Sequence, residues 1–372
     1  MTDTRVGYDD DQEQLRDAVR GFFERHSDES AVRVQMETDR GHDSDVWRLA
    51  TEQLGLPSLV IPAEHGGQGY GWVELAVVME EAGRALYGGP LLATALATTM
   101  LWSVEASDDA AALLEAIAAG RTATLVMTDG TGAHDVAGTS VAASMPADRW
   151  LLEGAASHVV DGHTAESLVV VARSDAGVGV FVVDADTPGL TVTPLSAMDL
   201  TRKQAMVTFT ECPTVAIAEP GSGAAALGHL LPRAAVMLAA EQTGAMGRCL
   251  EMAVDYAKER HQFGRPIGSF QAVKHRCAEM LLRVDSARAV SWNAARAVAD
   301  GDDDVALTAS LAAAFCSQAF VDVAGDNIQV HGGIGFTWEH PASLYYKRAK
   351  ASEALLGTPA HHRESFATAI GI

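Results

Sequence analysis

Apolar positions along the chain keep one period, lose it and regain it. From residue 10 to about 115 they recur at helical spacing. In DQEQLRDAVRGFFERH, Leu15, Val19, Phe22 and Phe23 form one stripe, and GWVELAVVMEEAGRAL (71–86) repeats the pattern after a glycine-rich break. From about 121 to 216 the texture turns to β-branched runs split by Gly, Asp and Pro: TATLVMTD, SLVVVARS, VGVFVVD, GLTVTPL and QAMVTFTE. Short strands at such regular spacing predict a small antiparallel sandwich or barrel. After PGSG (220–223) the helical period returns over about 224–260, 268–299, 303–331 and 342–354, which predicts long helices joined by short loops. The expected fold is α+β and multidomain, with an N-terminal helical domain (1–118), a central antiparallel β-barrel or sandwich (119–218) and a C-terminal four-helix bundle (219–372).

A chain of 372 residues, 48% of them hydrophobic, can bury more than one core. Its formal net charge of −22 repels phosphate backbones and anionic lipid, so neither nucleic acid nor a membrane surface is an expected partner. Any anionic ligand must meet local positive charge. The four cysteines, Cys212, Cys249, Cys277 and Cys316, lack CxxC spacing and read as buried thiols in a reducing compartment. The N-terminal stretch has no apolar leader-like run, and no eighteen-residue apolar stretch is free of charge, so the expected location is the cytoplasm.

Two segments carry residues that a bundle core does not call for. In RHQFGRPIGSFQAVKH (260–275), Arg260 and Phe263 fall at the end of a predicted helix, where Gly264 and Pro266 stop it. Both side chains then project from a bundle corner. Taken alone, an arginine complementing the helix dipole and a phenylalanine plugging the turn is the simpler reading. In QVHGGIGF (329–336), Gly332, Gly333 and Gly335 let backbone N–H groups approach a ligand, although Gly335 also fits tight helix packing. The spacing is not GxGxxG after a strand, so a Rossmann reading fails. His331 and His340 have no further ligands at helical or strand spacing and read as packing or surface histidines.

Three segments, IPAEHGGQGYGWVELAVVMEEAGRAL (61–86), YAKERHQFGRPIGSFQAVKH (256–275) and IQVHGGIGFTWEHP (328–341), resemble the signature stretches of the acyl-CoA dehydrogenases, flavoproteins that desaturate acyl thioesters. The resemblance covers nearly the whole chain. It implies FAD as cofactor, an acyl-CoA substrate from fatty-acid or steroid degradation, an electron-transfer flavoprotein as acceptor, and a homo- or hetero-oligomer. By resemblance Arg260 meets the FAD pyrophosphate of a neighbouring subunit and Phe263 packs on its adenine. Gln262, Gln329, Gly332 and Gly333 contact the same cofactor, and Thr358 lies beside the flavin. Arginine suits a pyrophosphate because its planar fork makes bidentate, charge-assisted hydrogen bonds.

The matches fail in the β segment. MTDGTGAHD (127–135) and GAASHVVDGHTAESL (154–168) stand where the family carries flavin-wrapping residues, and they keep the strands without the signature. Thr128 and Thr131 can bond a flavin edge or their own backbone. DLTRKQAMVTF (199–209) resembles divergent members that assemble from two different subunits. The catalytic base departs as well. In KRAKASEALLGTPAHHRE (347–364), Leu356 stands where most members carry a glutamate, ahead of Gly357 and Thr358, and leucine takes no proton. Some members place the base on the first long bundle helix. There Glu241 lies near Met237, Gly244 and Ala245, an apolar setting that suits a general base. A structural ion pair with Arg233 or Arg248 is the open alternative. Three functions follow: a complete homo-oligomeric dehydrogenase using Glu241, one subunit of a heteromer that lends Arg260, Phe263, Gln329 and Gly333 to a flavin seated mainly in its partner, and a non-catalytic or interaction member of the fold. A retained outward half beside a missing inner half favours the second.

Overall fold

The structure, a computed structural model, describes residues 7–105, 107–128, 139–218 and 220–372. The chain opens with α1 (Asp10–His26), α2 (Glu29–Met36), α3 (Ser44–Leu49), α4 (Trp72–Arg84), α5 (Leu91–Trp102) and α6 (Asp108–Ala118). Then come β1 (Ala123–Val126), β2 (Ala142–Ser144), β3 (Leu151–Val160), β4 (Ser167–Ser174), β5 (Gly177–Asp184), β6 (Leu190–Pro194), β7 (Gln204–Pro213) and β8 (Val215–Ala218). The C-terminal part holds α7 (Gly223–Glu259), a short hairpin of β9 (His261–Gln262) and β10 (Arg265–Pro266), and then α8 (Gln271–Asp300), α9 (Val305–His331), α10 (Ala342–Ser352) and α11 (Pro359–Ala369). The helical, strand, helical succession expected from the periods is therefore present. Helix α11 adds a fifth C-terminal helix to the four expected, capped by the Thr358 hydroxyl and opened by Pro359.

Two compact units interleave these segments: Met1–Val32, Trp72–Tyr87 and Ala235–Ile372 in the first, and Arg33–Gly71 and Gly88–Ala234 in the second. In the second unit the strands form one sheet in the order β6-β7-β3-β2-β4-β5-β8, with β1 beside β4. Phe181, Phe209, Leu152 and Val170 are fully buried in its core, and Trp150 meets Phe181 edge-on at 5.3 Å. The sheet is mixed, since β1 and β2 run parallel to β4 while the remaining pairs are antiparallel. Alternation of side chains reports that a strand exists but not its direction, which is why the antiparallel expectation missed these two pairings.

The first unit is built on the crossing of α4 and α7. A Cβ on Gly83 would collide with the Glu241 carbonyl oxygen, and one on Gly244 would collide with that of Glu80. Each helix thus lays a glycine against the other's main chain. Three buried carboxylates surround the crossing, and arginines from other helices hold them. Arg20 of α1 forks onto Glu81 at 2.6 and 2.9 Å, and Arg288 of α8 reaches Glu80 at 3.1 Å, where the Tyr8 hydroxyl also donates at 2.6 Å. Burial and the Glu80 charge push the Tyr8 phenol well above its ordinary value, so it stays a donor. Helices α7 and α9 with its following turn are long and apolar enough to cross a membrane by length and composition alone, and 61% and 44% of those apolar windows are buried within the protein. Gly83→Ala and Gly244→Ala should each lower unfolding stability by about 3 kcal/mol through overpacking, read as a lower urea midpoint. Midpoints equal to wild type in both variants would mean that the helices are not in main-chain contact.

Candidate functional site

The corner after α7 is a two-residue hairpin. Arg260 N–H donates to the Tyr256 carbonyl at 2.8 Å, and the Arg260 carbonyl accepts from Ile267 N–H at 2.7 Å, which closes the loop. Gln262 pairs with Arg265 and His261 with Pro266. Phe263 and Gly264 take up the turn with φ of 51° and 76°, the mirror-image geometry that suits tight hairpins. Glycine adopts that geometry freely, whereas phenylalanine does so at a cost. The Phe263 ring is nevertheless 91% exposed. It meets the Phe270 ring edge-on at 6.0 Å, and the Arg265 guanidinium lies over that same Phe270 ring at 4.2 Å.

The second segment lies at the end of α9. Gln329 is exposed on the last turn. Gly332, at φ 65° and ψ −139°, stops the helix in a region that only glycine occupies readily. A Cβ on Gly332 or Gly333 would meet nothing within 4 Å, so these two glycines leave backbone open to an outside ligand. Gly335 is different, because a Cβ there would fall 2.9 Å from the Ile328 carbonyl oxygen, and it is a packing glycine. The His331 ring joins the two segments. It packs on Tyr256 of α7 at 4.4 Å and on His340 at 4.2 Å, and its Nδ1–H donates to the Asn327 carbonyl at 2.8 Å. Burial pulls its imidazole below the ordinary histidine range. Arg260, Gln262, Phe263, Gln329, Gly332 and Gly333 thus sit on two adjoining segments of one unit, and their open glycine backbone and exposed guanidinium have the chemistry to hold the diphosphate and adenosine parts of an FAD.

The remaining candidates lie on other segments of the chain. Glu241 is 4% exposed and lies about 27 Å along α7 from the helix end. Its Oε1 accepts from Nη1 of Arg348 on α10 at 3.1 Å, and Arg348 itself is 1% exposed. The partners weighed from sequence are engaged elsewhere, Arg233 on the His229 carbonyl and Arg248 on Glu251. Arg348 was the residue missed. Only its position in a polar run before Leu356 marked it, and a sequence does not say which arginine a buried carboxylate will meet. Leu356 is 6% exposed and itself has a positive φ of 60°, and its carbonyl accepts from Nε2 of His362 at 3.1 Å. Thr358 is exposed, and its hydroxyl accepts from the His361 N–H as the cap of α11. In the other unit, the buried Thr128 hydroxyl donates to the Ser157 carbonyl at 2.6 Å, the backbone use that turn chemistry allowed. Thr131 lies outside the described residues. A bulge at Ala156–Val159 turns out His158 at φ 58°, with its Nδ1 2.9 Å from the Ser157 hydroxyl.

The chain matches two family models, "Acyl-CoA dehydrogenase, N-terminal domain" over residues 9–121 and "Acyl-CoA dehydrogenase, C-terminal domain" over 221–371. It is 37% identical over 353 residues to acyl-CoA dehydrogenase IpdE2 of Mycolicibacterium smegmatis, covering 94% of this chain and 96% of that one. The Mycobacterium tuberculosis IpdE2 is likewise 37% identical, over 94% of each chain. Among solved structures, a variant of the Tcur3481-Tcur3483 steroid ACAD is 29% identical with a TM-score of 0.88 over 98% of both chains. The ChsE4-ChsE5 complex from Mycobacterium tuberculosis is 26% identical with a TM-score of 0.89 over 99% of both. For the Glu241–Arg348 pair, Arg348→Met should cost about 3–5 kcal/mol of unfolding free energy, because it strands a buried carboxylate, and the Glu241→Gln/Arg348→Met double variant should recover most of that loss. Equal losses in the two proteins, by urea titration, would show that the ion pair is not the source.

Proposed function

Because the chain belongs to the acyl-CoA dehydrogenase family, we propose that it acts as one subunit of a hetero-oligomeric, FAD-dependent enzyme that introduces an α,β double bond into an acyl-CoA thioester. FAD is the cofactor of this family, and when bound it supplies the acceptor for the hydride leaving the substrate β-carbon. This chain's part is to hold the cofactor. Arg260 offers a forked cation to the diphosphate, Phe263 a ring face to the adenine, and Gly332 and Gly333 open backbone, with Gln262 and Gln329 adding side-chain amides.

One observation carries the reading. The cofactor-facing residues are displayed outward, while neither base position is a free carboxylate: Leu356 takes no proton and Glu241 is held by Arg348. Abstraction of the α-proton needs a positioned base, which the partner subunit provides. The relatives named as two-component assemblies, ChsE4-ChsE5 and Tcur3481-Tcur3483, support the heteromer, and the word steroid in the latter's name supports a steroid-derived acyl-CoA. The electron acceptor is an electron-transfer flavoprotein, and the four free thiols suit the cytoplasm. A second reading has its own support, since Glu241 is a buried carboxylate on the first long helix of the bundle, where some members of the family carry the base.

Purified alone, the chain should carry little flavin. Co-expressed with a partner subunit, it should carry FAD stoichiometrically, as read from the absorbance spectrum. Full FAD occupancy in the isolated chain would sink the heteromer. Within the assembly, Glu241→Gln should leave flavin bleaching by acyl-CoA close to the wild-type rate. A fall of about 10²–10⁴-fold would instead make Glu241 the base.

A further inference from the structure

The hairpin at the bundle corner sorts its side chains by face. Residues alternate faces along a strand, and directly paired residues share one. Gln262 and Arg265 are a direct pair, so they lie on one face, and Arg260, two positions before Gln262, belongs to it as well. His261 and Pro266 pair on the other. One face of a seven-residue corner therefore collects two arginines and a glutamine.

Neither arginine is held by a carboxylate among the described residues. Arginines 20, 84, 276, 283, 288 and 348 are all in ion pairs. Among the described residues, Arg260 and Arg265 have no acidic partner. In a chain with 49 acidic and 27 basic residues, two free guanidinium groups on one small face mark a place for an anion from outside. Arg265 is also held in place. Its guanidinium lies 4.2 Å above the half-buried Phe270 ring, whose edge contact with Phe263 ties it to the exposed aromatic of the same turn. A stacked arginine keeps its hydrogen-bonding fork free at the plane's rim, and it loses less rotamer freedom on docking than an unsupported one.

We infer that Arg265 is a second cation of the FAD surface, gripping the cofactor's diphosphate together with Arg260; this rests on the function proposed above. A diphosphate presents charge on two linked phosphoryl groups, more than one guanidinium fork covers, and two forks on one face match it. Phe270 is the support that aims the second fork.

The test uses whichever form retains flavin, the chain with its partner or the chain alone, stripped of FAD and titrated back by flavin fluorescence at several salt concentrations. Arg265→Ala should raise the FAD Kd about tenfold and flatten its salt dependence. Arg265→Lys should recover only part of the loss, because an ammonium ion neither stacks flat nor forks. Both side chains are exposed, so melting temperatures should stay at the wild-type value and separate binding from folding. Wild-type Kd and salt slope in Arg265→Ala, with Arg260→Ala clearly weakened, would overturn the role of Arg265 alone. If Arg260→Ala is also unchanged, or no form of the protein takes up FAD, the cofactor reading beneath it falls too.

Discussion

Buried carboxylates organise the helical unit. Glu80, Glu81 and Glu241 are all removed from water, and a charge in that position is tolerable only when it is paired and hydrogen-bonded. The partners come from three separate helices: Arg288 of α8, Arg20 of α1 and Arg348 of α10. Those contacts specify more than they stabilise. A shift of α1, α8 or α10 by one turn would leave a carboxylate stranded, so the charge pairs fix the register of the helices around α4 and α7.

Function then depends on which cations are left over. Many of this acidic chain's arginines are already committed to carboxylates, on the surface as well as inside, so an anionic group can settle only where a cation is left uncommitted. Among the described residues, Arg260 and Arg265 are two such cations, on the hairpin face after α7 beside the open glycine backbone at the end of α9, with the His331–Tyr256 stack between the two segments. The contrast with the β unit is chemical. There Thr128 bonds to the Ser157 carbonyl, and His158 sits in a bulge against the Ser157 hydroxyl.

Periodicity was enough to read the elements, since a change from 3.6 to 2 and back is a property of the chain itself. Strand direction in β1 and β2 was not legible, because the same alternation serves either orientation. The outward character of Arg260 and Phe263 could be read from the helix-stopping Gly264 and Pro266, but the hairpin that gives Arg265 the same face could not, as it depends on a two-residue turn with phenylalanine in a left-handed conformation. Glu241 was singled out by residue type and setting. Its bond to Arg348 joins positions 107 apart, and no local rule connects them.

The α4–α7 crossing has a consequence for how this sequence can drift. Where two side chains meet, a larger residue on one side can be balanced by a smaller one on the other, and such positions change together. Gly83 and Gly244 each face a main-chain carbonyl, which no substitution in the opposite helix can shrink. Divergence should therefore leave both positions fixed without any compensating partner, so that the most constrained contact in the unit carries no covariation signal.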